Sequence, residues 1–194
     1  MAAALAAAMM LWLPNLFSPS VAAATDDIDH GFDELGIVNI HRLPPPMDFV
    51  LADLHGRRVR LSDFKGKVVF LNFWTTWCPQ CRFELPALEK LDRRFKNRAF
   101  AMLAVSLGEP TSKVSRFVKR QKLGIRVLLD TGGRVGRRFG IHSIPTTIVI
   151  DRSGAMIGKA IGSRPWDSPA AAALFEHLLD RTPRQGIIGG KPNQ

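Results

Sequence analysis

The amino-acid sequence predicts an α/β fold in which a central mixed β-sheet is covered by helices on both faces. Two continuous apolar runs, 68–74 and 100–107, have the length of strands and lack polar–apolar alternation, so both faces of each strand should be covered. The segment 79–96 between them has apolar residues at helical spacing. The resulting order is βαβαβ-like, followed by a hairpin and a helix, which is typical of helices packed on a central sheet.

Turn residues and periodicity predict the remaining elements. Pro79 suits the first turn of the helix over 79–96, and Pro86 lies inside that helix, where we expect a kink. The other predicted elements are an N-terminal hairpin over 49–61, a helix over 111–123, strands over 127–129, 146–150 and 155–161, and a final helix over 168–181.

The N-terminus carries the pattern of an export signal. Residues 1–24 have no charged side chain, and an apolar run extends from Ala2 to Phe17. Small residues at Val21–Ala24 then form an Ala-x-Ala cleavage pattern, followed by an acidic stretch. We therefore predict a signal peptide over 1–24 and a periplasmic protein. An uncleaved membrane anchor is the alternative.

The rest of the chain has room for one domain with tails. Residues 25–46 have little periodicity and end in the prolines 44–46, so we expect a linker there. The folded domain is expected over 47–181, and the Gly- and Pro-rich segment 182–194 is expected to be a disordered tail. The net charge of +10 is spread over helix faces and turns, which favours a solvated basic surface over a nucleic-acid partner.

The most informative motif is the pair Cys78 and Cys81, which are the only cysteines of the chain. A Cys-x-x-Cys pair at the start of a helix, directly after an apolar strand, is typical of a redox site. The helix N-terminus favours a thiolate at Cys78, which would attack, and Cys81, one turn further along, would resolve the mixed disulfide. An inert disulfide or half of a zinc site is the alternative, but zinc needs about four ligands and the five histidines are scattered. We expect no metal and no cofactor.

Residues 70–86, which contain this pair, resemble the thioredoxin fold and, within it, the exported TlpA/ResA-like thiol–disulfide oxidoreductases. The run Ile144–Thr147 before a strand and the additional strand–helix material at 108–130 support the resemblance, which covers about residues 47–181. It implies a thioredoxin fold with a central strand–helix insert and a redox-active disulfide.

Glu84 is the candidate proton acceptor. It follows Cys81 by three residues on the same helical face, so its carboxylate could take the proton of Cys81 as that thiol attacks. The resemblance implies that a Glu at this position modulates the thiols, and Asn72 stands where cytoplasmic thioredoxin has a buried Asp. The alternative is a surface Glu paired with Arg82 or Lys90.

The expected substrate-binding residues are Trp77, Pro79, Ile144 and Pro145. Pro145 matches the cis-proline of the family, which implies that the backbone of Ile144 pairs with an extended substrate strand. Trp77 is expected to form part of the substrate platform. Pro79 lies between the two cysteines and influences how far the thiolate is favoured.

The resemblance implies an exported reductase of disulfides in partner proteins. Such a partner would be an apocytochrome c, as in cytochrome c biogenesis, or a copper-site assembly protein, and a membrane-embedded thiol carrier would supply electrons. Two alternatives stay open. One is a thiol peroxidase, because Thr75-x-x-Cys78 partly matches a peroxidatic loop, although Asn72 stands where that motif has Pro. The other is a copper(I) chaperone that uses the two thiols as soft ligands.

Overall fold

The computed structural model describes residues 23–40 and 48–181. The strands of this part are β1 (Val38–Asn39), β2 (Val50–Asp53), β3 (Arg58–Arg60), β4 (Val68–Trp74), β5 (Phe100–Leu107), β6 (Val127–Asp130), β7 (Thr146–Ile150) and β8 (Met156–Ile161). The helices are α1 (Ala23–Glu34), α2 (Pro79–Phe95), α3 (Thr111–Gln121), α4 (Arg134–Arg138) and α5 (Pro169–Asp180), with a short 3-10 helix at Leu61–Phe64. The strands form one mixed sheet in the order β1-β8-β7-β4-β5-β6-β2-β3.

Strand β4 lies at the centre of this sheet. All seven of its residues are buried, as its continuous apolar sequence predicts. It pairs in parallel with β5 and antiparallel with β7. The C-terminal end of β4, from which the chain continues to the cysteines, therefore lies between the end of β5 and the start of β7.

Two apolar clusters cover the two faces of the sheet. One contains alternate residues of β4 with buried side chains of α1, α2, α3 and α5, and the other contains the remaining residues of β4 with α4, the 3-10 helix and the N-terminal hairpin. The predicted fold class is confirmed. The predicted hairpin is also confirmed, since Leu51 pairs with Val59, and β2 joins the sheet by pairing with β6.

The prediction of a linker over 25–46 is wrong for its first part, which forms α1 and β1. Strand β1 pairs with β8, and Ile28 and Phe32 of α1 are buried in the core. The packing is close: a Cβ on Gly158 of β8 would lie 2.7 Å from Cγ2 of Ile37 and 3.0 Å from Cζ of Phe32. The sequence of this segment has too little periodicity to predict the helix, because the burial of the helix depends on tertiary contacts.

Other predictions concern residues outside the described part. These include the signal peptide over 1–24, apart from its last two residues in α1, as well as the prolines 44–46 and the tail over 182–194. Within residues 23–40 and 48–181, no helix has the length and apolar character needed to cross a membrane.

The packing of α1 predicts a large loss of stability on truncating Phe32. Phe32 is fully buried, so Phe32→Ala should lower the free energy of unfolding by about 3–5 kcal/mol. Urea denaturation of the full chain measures the change, and Glu34→Ala, at an exposed position of the same helix, is the control. Equal effects of the two substitutions would show that α1 is not part of the cooperative unit.

Candidate active site

The two cysteines form a disulfide at the N-terminus of α2. Cys78 is the N-cap residue with extended backbone geometry, and Pro79 begins the helix. The backbone N–H of Cys81 donates to Sγ of Cys78 at 3.1 Å. This N–H belongs to the first turn of the helix, where no backbone carbonyl is available to accept it, and the sulfur takes that place. Both cysteines are buried.

The loop before β7 lies against this disulfide. The Ile144–Pro145 peptide bond is cis, as predicted, and Pro145 is buried while Ile144 is half-buried. Sγ of Cys78 lies 3.9 Å from the carbonyl oxygen of Ile144. The antiparallel register of Phe73 with Thr146 produces this approach, because it places the residues before Thr146 beside the end of β4.

Glu84 is buried beneath the disulfide end of α2, on the turn that follows Cys81. Only 2% of its surface is exposed. Its Oε1 accepts hydrogen bonds from the indole N–H of Trp166 and, at 3.4 Å, from the backbone N–H of Arg164. Burial raises the pKa of Glu84 to about 7, and these hydrogen bonds oppose the rise without cancelling it.

The second carboxylate oxygen of Glu84 has a different environment. Among the described residues, Oε2 is buried and has no hydrogen-bond partner. Because Oε1 already accepts two N–H groups, Oε2 is the oxygen available to hold a proton. The alternative interpretation of Glu84 as a surface residue in an ion pair is wrong. Its side chain is buried, and Lys90 pairs instead with Asp167 at 2.7 Å.

Asn72 contributes a buried amide on β4. Its Nδ2 donates to Oγ1 of Thr147 at 3.0 Å, and in the described part of the chain its Oδ1 is buried without a partner. A neutral amide does not titrate near pH 7, so Asn72 cannot act as a general base. Of Asn72 and Glu84, only Glu84 can therefore accept a proton.

Glu109 holds the loop that leads to Cys78. Its buried carboxylate accepts from the backbone N–H of Thr76 at 2.7 Å and from the Thr76 hydroxyl at 2.6 Å. Burial alone would raise the pKa of Glu109, but the hydrogen bonds from Thr76 and the nearby Lys113 ammonium hold it below its ordinary value. The ionised carboxylate thus anchors the residues before the disulfide.

The surface around the disulfide is partly apolar. Trp77 is 62% exposed, and Pro79 is exposed beside it. Trp74 is fully buried in the core, and His142 is exposed near the loop that contains Pro145. Every predicted site residue is thus at or beside the disulfide, with Trp77 and Pro79 open to solvent and Glu84 below.

Sequence reasoning missed three residues of this site: Trp166, Arg164 and Glu109. Trp166 and Arg164 lie in the loop between β8 and α5, far along the chain from Glu84, and no local pattern marks them. Glu109 carried a usable signal, because it follows β5 and the carboxyl ends of parallel neighbouring strands meet at one edge of a sheet. Within the described segments, no three His, Cys, Asp or Glu side chains converge as they would around a metal ion.

Comparison with known proteins agrees with this geometry. A model of the AhpC/TSA family matches residues 44–158. The chain is 38% identical over 136 residues to the thiol-disulfide oxidoreductase ResA of Bacillus thuringiensis subsp. konkukian, and the alignment covers 70% of this chain and 76% of that protein. 

Solved structures lead to the same class. A Chlorobium tepidum protein assigned as thiol:disulfide interchange protein DsbE has a TM-score of 0.65 and 32% identity, covering 70% of this chain and 95% of that one. StoA from Bacillus subtilis has a TM-score of 0.57 and 27% identity, covering 68% and 96%. Fold and site therefore define a thiol–disulfide oxidoreductase of the thioredoxin fold. The chain belongs to the AhpC/TSA family and, within it, to the ResA-like thiol–disulfide oxidoreductases.

The raised pKa of Glu84 predicts a specific pH dependence of stability. Its carboxyl holds a proton up to about pH 7 in the folded protein, against an ordinary value of 4.5, so stability should fall as pH rises from 4.5 through 7. Glu84→Gln removes this titration. The quantity to compare is the free energy of unfolding of oxidised Glu84→Gln minus that of oxidised wild type. This difference should increase by about 3 kcal/mol as the pH rises from below 4.5 to above 7.

Urea denaturation across this pH range measures the difference. Glu34→Gln, at an exposed position of α1, is the control and should show no comparable rise. A pH-independent difference between wild type and Glu84→Gln would contradict the buried, proton-binding carboxyl.

Proposed function

We propose that this protein reduces disulfides in partner proteins outside the cytoplasm. The observation that carries the proposal is the placement of a buried carboxyl with a pKa of about 7, Glu84, one helical turn beyond the buried Cys81. An inert structural disulfide has no need of a proton acceptor beside it. A thiol that must lose its proton in order to attack does need one.

The first step uses Cys78. In the reduced protein the N–H of Cys81 and the helix N-terminus favour the thiolate of Cys78. That thiolate attacks one sulfur of the partner disulfide. A mixed disulfide forms with Cys78, and the other partner sulfur leaves as a thiolate, which then takes a proton.

The second step uses Cys81 and Glu84. The thiol of Cys81 loses its proton to Oε2 of Glu84, and the resulting thiolate attacks Sγ of Cys78. The Cys78–Cys81 disulfide forms, and the second partner sulfur is released as a thiolate. Two electrons have then passed to the partner, and an external thiol donor must reduce Cys78 and Cys81 before another cycle.

The partner would dock on the residues that surround the disulfide. Trp77 and Pro79 offer an exposed apolar surface, and the half-buried Ile144 beside Pro145 offers backbone groups to an extended strand. We propose these four residues as the substrate-binding surface, with Cys78, Cys81 and Glu84 as the catalytic group.

The cellular role is proposed from the family. An apocytochrome c or a copper-site assembly protein would be the partner, and a membrane-embedded thiol carrier would supply electrons. The charge-free segment 1–24 supports export to the periplasm as a signal peptide.

Substitution of Glu84 should slow the second step selectively. Glu84→Gln leaves no proton acceptor for Cys81, so the mixed disulfide should persist and its resolution at pH 7 should slow by about 100-fold, with initial attack little changed. Rapid acid quench followed by mass spectrometry measures both phases. Glu34→Gln, at an exposed position of α1 away from the disulfide, is the control. Equal slowing of both phases would show that Glu84 does not act as the acceptor.

The direction of electron flow is tested by the reduction potential and by trapping. A reductase should have a potential nearer to about −270 mV, as in thioredoxin, than to about −120 mV, as in a strong oxidant such as DsbA. In cell extracts, Cys81→Ala should retain partner proteins as mixed disulfides on Cys78, and Cys78→Ala should retain none. A potential near that of DsbA would overturn the reductase assignment, whereas rapid oxidation by hydrogen peroxide would favour the peroxidase.

A further inference from the structure

A second surface begins at Pro79, the residue after Cys78, and runs along α2. It is a groove of about 610 Å³ between α2 and the C-terminal end of α3. Pro79, Phe83 and Pro86 line it from α2, at the i, i+4 and i+7 positions of one helical face. Phe117 and Leu123 line it from the α3 side. We call it the α2–α3 groove.

The α2–α3 groove exposes apolar surface that the fold does not use. Phe83 is 84% exposed, the highest fraction among the large exposed apolar side chains of the described residues. Leu85 and Phe117, in contrast, are buried and belong to the core beneath the groove. An exposed aromatic ring above an apolar floor, within two residues of a redox cysteine, marks an interaction site.

The charged side chains that line the α2–α3 groove are mostly basic. Its lining includes four basic residues, which are Arg82, Lys90, Arg93 and Lys122, and one acidic residue, Glu89. Both oxygens of Glu89 are already occupied, because Oε2 accepts from Arg93 at 3.1 Å and Oε1 accepts from the backbone N–H of Ile125 at 3.0 Å.

Two of these cations have no acidic partner in the described part of the chain, and one of them, Arg82, has its guanidinium 6.0 Å from the centroid of the Phe117 ring. Lys90 pairs with Asp167 and Arg93 pairs with Glu89, whereas no ion pair within the described part of the chain engages Arg82 or Lys122. The two stand on α2 and just after α3, on the two sides of the groove. A ligand between them would meet an apolar surface with positive charge on both sides.

We propose that the α2–α3 groove binds an acidic segment of the disulfide-bearing partner, with an apolar side chain against Phe83 and carboxylates toward Arg82 and Lys122. The proposal rests on the proposed reductase function and names the partner chemistry that this function would select. Docking there raises the local concentration of the partner disulfide at Cys78 and steers an acidic partner in preference to a basic one.

Helix geometry sets where this segment lies in the partner sequence. The path from Cys78 to Pro86 along α2 is about 12 Å at 1.5 Å per residue. An extended chain covers that distance in about four residues. The acidic, apolar segment should therefore begin about four residues from the cysteine that Cys78 attacks.

Synthetic disulfide peptides test the proposal with the reduced full chain. Two peptides share one disulfide and carry, about five residues away, either Phe-Asp-Glu or Phe-Lys-Lys. Stopped-flow tryptophan fluorescence gives each second-order rate constant, divided by that for the small uncharged bis(2-hydroxyethyl) disulfide. The ratio removes any change in the reactivity of the thiols themselves.

The expected result is that the acidic peptide is reduced about tenfold faster at low salt than the basic one, with the preference falling as salt rises. Lys122→Glu should abolish most of this preference, and Phe83→Ser should slow the acidic peptide. Arg116→Glu makes the same change in net charge at an exposed position of α3 outside the groove, and it should keep the preference.

Three outcomes overturn the proposal. Equal rates for the two peptides, or equal losses in Lys122→Glu and Arg116→Glu, would show that the groove does not select the partner while reduction itself stands. Failure of the wild-type protein to reduce both the peptides and bis(2-hydroxyethyl) disulfide would instead refute the reductase function on which the proposal rests.

Discussion

The register of the central strand β4 is the constraint on which the rest of the site depends. Its antiparallel pairing with β7 sets Phe73 opposite Thr146, which brings the Ile144 carbonyl to 3.9 Å from Sγ of Cys78. Its parallel pairing with β5 sets Trp74 opposite Ser106, which brings Glu109 to the loop before the disulfide. A slip by one residue would exchange the faces of β4 and separate these groups. The packing of alternate β4 residues into two different apolar clusters opposes such a slip.

The chemistry of the site depends on a second constraint, the exclusion of water around Glu84. The carboxyl is held from the side of Oε1 by Trp166, whose ring also packs edge-to-face on Phe70 at 4.8 Å in the core. The loop that supplies this contact is tied to the N-terminal segment, because Nε of Arg164 donates to the carbonyl of Leu35 at 2.7 Å. The segment that the sequence suggested to be a linker therefore supports the loop that holds the buried carboxyl of Glu84.

The redox site and the α2–α3 groove use opposite faces of the same helix. Buried residues such as Cys81, Glu84 and Leu88 face the sheet, and their spacing leaves Pro79 and Phe83 on the outer face. One helix can thus present a reactive sulfur at its N-terminus and a docking surface along its side. In such an arrangement the thiol chemistry is common to the family, whereas the groove can distinguish partners through charge.

Sequence alone determined the features that depend on local order. The apolar runs predicted β4 and β5, and Cys78, Cys81 and the cis bond at Pro145 were identified because their motifs are contiguous. Glu84 was proposed from its spacing to Cys81, and that spacing could not show whether the side chain was buried. Tertiary structure alone decided the burial of Glu84, its hydrogen bond from Trp166, and the incorporation of α1. These features depend on contacts between residues far apart in the chain, and such contacts leave no periodic pattern in the sequence.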